Sequence, residues 1–134
     1  KSVFEKVKFD EAINSYGYED YKFACELSAN GYSITHINNE VIHNGLNENE
    51  EFLNKIEISL KTLAKLFNSS QIEETKLIKW YLNLKNWKTL GVVSLNKSWL
   101  IPVLRSTVLK FPQNITLFQM WKLMVFSIEM KKPA

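Results

Sequence analysis

Two adjacent carboxylates, Glu19 and Asp20, stand out in Tyr16-Gly17-Tyr18-Glu19-Asp20-Tyr21. They follow a glycine, are flanked by tyrosines, and open an amphipathic run that stops at Gly31. Downstream, His43 lies in Val41-Ile42-His43-Asn44-Gly45, where an extended piece gives way to a turn. A carboxylate pair at a helix start, with an imidazole on a later turn, is a constellation for acid/base work at a metal. One carboxylate can take a proton from a bound hydroxyl while its neighbour accepts a second hydroxyl and fixes orientation. The competing reading is structural, because acids in a first helical turn also answer the helix dipole. His36 sits inside an alternating segment and reads as structural. His43 has the position of a site residue at a strand end, but one histidine and a distant pair lack the close ligand spacing of zinc-type sites.

The elements that must position these groups are mostly helical. Ser2-Val3-Phe4-Glu5 has the form of a capping box, so a short helix should run to about residue 7 or 8. Asn14-Ser15-Tyr16-Gly17 is turn chemistry, and Gly17 is free to take a positive φ. From Glu19 the spacing of Tyr21, Phe23, Ala24 and Leu27 predicts a helix ended by Asn30-Gly31. Ser33-Ile34-Thr35-His36-Ile37 alternates like a half-buried strand, and Val41-Ile42-His43 predicts a second extended piece. Asn47 and Glu50 then cap the clearest helix, whose apolar stripe is Phe52, Leu53, Ile56, Leu60, Leu63 and Phe67. Helical runs over about 71–90, 97–111 and 115–131 follow, with Pro102 tolerated early in its helix and Pro112 as a stop.

A chain of 134 residues with 46% apolar content is large enough for one real core. The start at Lys1, with a motif already at residue 16, suggests a piece of a longer protein. The lone Cys25 rules out an internal disulfide framework and reads as a small buried hydrophobe in a reducing compartment. Neither a secretory signal nor a bilayer-length apolar run occurs in the sequence. Three Asn-x-Ser/Thr tripeptides, at 68, 96 and 114, read as chance matches in an asparagine-rich chain.

Charge divides the chain. Residues 1–74 carry seven lysines against thirteen acids, a net −6; the rest carries nine lysines and Arg105 against Glu129, a net +9. The basic back half also holds Trp80, Trp87, Trp99 and Trp121. Such a composition over 75–131 fits an anionic membrane surface, or helices that bury their aromatics against one another. Nucleic acid is not the expected partner, since no glycine-rich or arginine-rich recognition motif accompanies the charge.

Phe9-Asp10-Glu11, Tyr16-Gly17-Tyr18-Glu19-Asp20-Tyr21-Lys22-Phe23-Ala24, Gly31-Tyr32 and His36-Ile37-Asn38-Asn39-Glu40-Val41-Ile42-His43 occur in an order that resembles one family. They resemble the C-terminal half of family-2 inverting glycosyltransferases, in the bacterial group with galactosyltransferase-like C-terminal regions. The resemblance covers residues 1 to about 67. Lys22, Glu26 and Glu40 depart from it, where Asp, Arg and Pro are more typical.

The resemblance implies an α-rich α/β fold: the acceptor-side half of a type-A, Rossmann-like domain over 1–67 with two short strands, then a helical extension over 68–134. It implies Asp20 as general base, and Glu19, Gly17, Tyr16 and Tyr18 as acceptor-binding groups. It makes His43 a ligand of a divalent metal, Mn²⁺ or Mg²⁺, in the intact enzyme. The partners implied are a nucleotide-sugar donor and a glycan or lipid-linked acceptor. The location implied is the cytoplasm, at the inner membrane face. The family's Asp-x-Asp is missing, because the only aspartates are Asp10 and Asp20. The donor-binding half is therefore expected elsewhere. The alternative is a non-catalytic helical module that binds a partner or a membrane surface.

Overall fold

The computed structural model describes residues 2–42, 45, 48–85 and 97–132. They form six helices: α1 (Ser2–Lys6), α2 (Glu19–Ala29), α3 (Asn49–Asn68), α4 (Lys76–Lys85), α5 (Lys97–Lys110) and α6 (Ile115–Glu129). Most helix positions follow the sequence signals, but the run expected over about 71–90 starts only at Lys76, and its end beyond Lys85 lies outside the described residues. Both strands of the expected α/β fold are absent: residues 32–42 have no regular structure, and the described residues contain no sheet. The α/β assignment is corrected accordingly to an all-helical one.

The reason lies in backbone pairing. Alternation in 33–37 and 41–43 gives β propensity, but a strand needs a neighbour to take its amides and carbonyls. Here the segment has none, and Ile34, Ile37, Val41 and Ile42 are all exposed, Ile42 at 90%. His43 itself lies outside the described residues.

The core surrounds α6. Trp121 and Phe126 are completely buried on it, and α3, α4 and α5 all pack against it. From α3 come Leu53, Leu60 and Leu63; from α4 Leu77, Ile78 and Tyr81; from α5 Leu104 and Val108. The ring of Tyr81 meets Phe126 edge-on, with centroids 5.5 Å apart. One core thus takes side chains from both sides of residue 67. The aromatic tail resolves into two populations: Trp121 is core, whereas Trp80 and Trp99 are about half exposed. Trp87 lies outside the described residues. Among the described residues, no helix is long and apolar enough to cross a membrane.

Two helix ends explain the turns around the core. At the end of α2, Tyr32 N–H donates to Leu27 O and Gly31 N–H to Ser28 O, each at 3.0 Å, with Gly31 at φ +78°. The end of α3 repeats the pattern: Gln71 N–H donates to Leu66 O and Ser70 N–H to Phe67 O, with Ser70 at φ +56°. Both are 6→1 plus 5→2 stops that satisfy the last carbonyls. At the start of α3, Glu48 precedes the helix without a side-chain cap, and the expected cap Asn47 is outside the described residues.

Leu60→Ala should cost about 2–5 kcal/mol, as for other fully buried leucines. Ile37→Ala, in the exposed segment, should change stability by no more than about 0.5 kcal/mol. Urea melts of the two variants check the contrast, and similar losses would mean that residues 32–42 are packed.

Candidate functional site

The carboxylate pair sits on a turn held in an uncommon backbone conformation. Gly17 has φ +97°, and Tyr18, the residue that enters α2, has φ +69°. A left-handed tyrosine is disfavoured by contact of its Cβ with the backbone, so surrounding packing must hold it there. That packing is visible. Tyr18 and Tyr21 meet edge-on at 6.3 Å and lie against the core together with Ile13 and Cys25. Burial pushes the Tyr18 phenol above its ordinary pKa, so it stays neutral.

Gly17 is pressed against α3. A Cβ at this position would lie 2.5 Å from Ser59 Cβ and 3.1 Å from Ser59 Cα. The close approach that glycine permits is therefore to the helix backbone. Next to it, the Ser15 and Thr62 hydroxyls lie 2.8 Å apart, and Thr62 Oγ1 also donates to Tyr16 O at 3.3 Å. Ser59 and Thr62 are both buried. They are polar residues on the core-facing side of α3, placed where the loop docks. Sequence reading passed over them because they interrupt the apolar stripe; two small polar residues three apart beside that stripe were the available signal.

A second anchor ties the start of the loop to α2. Lys22 is buried and forms an ion pair with Asp10, with Glu26 at 3.6 Å on the other side. Asp10 also accepts from Ala12 N–H at 2.9 Å. The hydrogen bond from Lys22 is the main cause that holds the Asp10 carboxyl below its ordinary pKa, assisted by the Ala12 amide. The ring of Phe23 stacks on Phe9 at 4.2 Å and on Phe4 at 5.6 Å, joining α1 and the loop to α2.

Within this frame the expected site residues separate. Glu19 and Asp20 are exposed in the first turn of α2 and form no ion pair among the described residues. Tyr21 N–H donates to Asp20 Oδ1 at 2.8 Å, so one carboxylate oxygen serves the helix start. Tyr16 is 56% exposed and presents its ring to solvent, whereas Tyr18 is half-buried. The structure thus brings Tyr16, Gly17, Tyr18, Glu19 and Asp20 together on one turn. His43 lies outside the described residues. Among the described residues no group of three or more His, Cys, Asp or Glu could hold a metal ion. They do not by themselves fit the divalent metal that the resemblance implies.

Beside the turn, a cleft of about 530 Å³ runs between the loop and the end of α3. Asn14, Ser15, Lys65, Ser69 and Gln71 line it over an apolar floor of Ile13 and Leu66. Its amides and hydroxyls both donate and accept, a lining suited to a hydroxyl-rich molecule. None of residues 16–20 lines this cleft. No family model, curated protein or solved structure matches this chain.

Gly31 provides the control for Gly17, since a Cβ there meets nothing within 4 Å although φ is also positive. Gly31→Ala should cost only the left-handed conformation, about 1–2 kcal/mol. Gly17→Ala should cost a further 1–3 kcal/mol or so, because Ser59 backbone must move. Equal losses in thermal melts would remove the loop-to-helix contact from the account. Asp10 sets a pH dependence. A carboxyl whose folded pKa is lowered contributes stability above its unfolded value, and loses it as pH falls through the folded one. Asp10→Asn should lower the melting temperature at pH 7 and weaken the fall in melting temperature below about pH 4. Adding Lys22→Met should restore most of the loss at pH 7, since it removes the buried charge left without its main partner.

Proposed function

We propose that this chain supplies the acceptor side of an inverting sugar transferase, with Asp20 as the general base. The observation that carries the reading is the turn: two successive residues at positive φ, locked to α3 through Gly17 and Ser59, present two solvent-facing carboxylates that form no ion pair among the described residues. Backbone strain of about 1–3 kcal/mol is kept where surrounding structure over-determines it, and such positions concentrate at sites. An ordinary helix start needs no strained tyrosine before its first turn.

The chemistry assigned to each group is the one the resemblance implies, and the exposure of the turn supports it. Inverting transfer is one displacement at the anomeric carbon, and it needs a base for the incoming hydroxyl. Asp20 is exposed, with Oδ1 held by the Tyr21 amide, an arrangement that leaves Oδ2 for the acceptor hydroxyl. Glu19 is its neighbour for a second hydroxyl. The exposed ring of Tyr16 is available to stack on a pyranose face, and the polar cleft at Asn14, Ser15 and Gln71 extends the acceptor side. A nucleotide-sugar donor and the divalent metal on its diphosphate belong to groups outside these 134 residues, with His43 as this chain's contribution to that metal. The acceptor class is a glycan or a lipid-linked glycan, handled in the cytoplasm at the inner membrane face.

In the transferase that contains this chain, Asp20→Asn should lower the rate of sugar transfer about 10²–10⁴-fold, the usual contribution of a general base. Nucleotide binding and melting temperature should hold, because the Asn side-chain oxygen can still accept from Tyr21 N–H. Glu19→Gln should raise the acceptor KM as well as slow turnover. Near-normal transfer by the Asp20 variant would reduce the pair to a helix cap.

A further inference from the structure

No acidic residue occurs between Glu74 and Glu129, a stretch with seven lysines and Arg105. Within it, α5 is apolar on two sides. Leu104 and Val108 face the core, and Trp99 and Val103, one turn apart, are 53% and 48% exposed on the other side. Lys110 continues that outer stripe at the end of the helix, since eleven residues complete close to three turns. The chain then turns at Phe111-Pro112-Gln113-Asn114 and enters α6, leaving Phe111 61% and Ile115 71% exposed. Asn114 caps α6 by accepting from Leu117 N–H at 3.1 Å, so the turn is a built element that carries these exposed side chains.

Arg105 is already engaged, donating to Asn54 Oδ1 at 2.7 Å with Glu50 at 3.9 Å, and Lys122 lies over the Phe118 ring at 5.4 Å. Among the described residues, Lys110 is a cation that borders the outer apolar stripe. Large exposed apolar side chains at a helix–helix turn, in a stretch of chain that carries lysines and no acid between Glu74 and Glu129, match an anionic bilayer surface. The described helices are too short and polar to span a bilayer, so the geometry is interfacial.

We propose that the outer face of α5 and the α5–α6 turn dock on anionic lipid. Trp99, Val103, Phe111 and Ile115 enter the boundary between headgroups and acyl chains, and Lys110 sits at headgroup level. This inference does not depend on the sugar-transfer reading, because it uses none of the residues of the Tyr16–Asp20 turn.

Sedimentation of the protein with phosphatidylcholine vesicles, with and without one quarter phosphatidylglycerol, tests it at low and high salt. The expected result is binding to the anionic vesicles alone, reduced severalfold in 0.5 M salt as screening shortens the reach of the charges. Phe111→Ser with Ile115→Ser should weaken that binding at least about tenfold, two large side chains being withdrawn from the lipid boundary. Lys110→Glu should weaken it severalfold. Ile37→Ser with Ile42→Ser, even more exposed but in the acidic half, should leave it unchanged, and circular-dichroism melts verify that all variants fold. Equal binding to neutral vesicles, undiminished binding by the Phe111/Ile115 variant, or loss in the Ile37/Ile42 control would overturn the proposal. Binding to polyglutamate but to neither vesicle would overturn it in favour of an acidic protein partner.

Discussion

Burial of α6 is the constraint on which the other elements depend. Its fifteen residues are too apolar to remain in water, and Trp121 and Phe126 are fully enclosed. Removing that surface from solvent is the main favourable term available to a chain this size, and it needs cover on several sides. α3, α4 and α5 provide the cover, each with its own apolar stripe, and the short turns at Ser69–Ser70 and Phe111–Asn114 follow from having to bring them round one axis. The twenty residues of α3 make it the longest of the three and leave buried surface beyond what α6 needs. The candidate site is built on that remainder.

The site loop is held by contacts of different physical kinds, and each does a separate job. Gly17 against Ser59 fixes distance, because neither side has bulk to spare. Ser15 with Thr62 satisfies polar groups that docking would otherwise strand, at a cost of about 1–3 kcal/mol each if left unpaired. The Lys22–Asp10 ion pair closes the loop onto α2, with Glu26 as a second neutralising group for a buried ammonium. A buried pair of this kind adds little net stability over an apolar substitute, yet it discriminates strongly against arrangements that leave one partner alone. These contacts give rigid support to a turn that carries two exposed carboxylates.

The division of charge acquires a spatial meaning in the fold. The carboxylate turn lies at the start of α2 in the acidic half, and the protruding Phe111 and Ile115 lie at the α5–α6 turn in the basic half. One polar contact between the halves among the described residues runs from Arg105 on α5 to Asn54 and Glu50 on α3. It is exposed and therefore weak, so the two halves are joined by the apolar core and not by their opposite charges.

Local sequence determined the helices, because their signals are local: caps, glycine stops and a 3.6-residue apolar period. The Asn30-Gly31 stop, the α3 stripe at Leu53, Leu60 and Leu63, and the glycine turn before Glu19 could all be read from residue types and spacing, whereas the left-handed Tyr18 could not. The alternation in 33–37 was equally legible but misleading, since a strand is stable only beside another strand and the described residues provide none. Tertiary structure alone decided which apolar residues are buried. Trp121 and Trp99 have like surroundings in sequence, yet one is enclosed and the other exposed, because only one faces the helices that converge on α6. It also decided that Lys22 pairs with Asp10, and that Ser59 and Thr62 receive the loop. Those contacts join residues twelve to forty-seven positions apart, a range over which periodicity and capping carry no information.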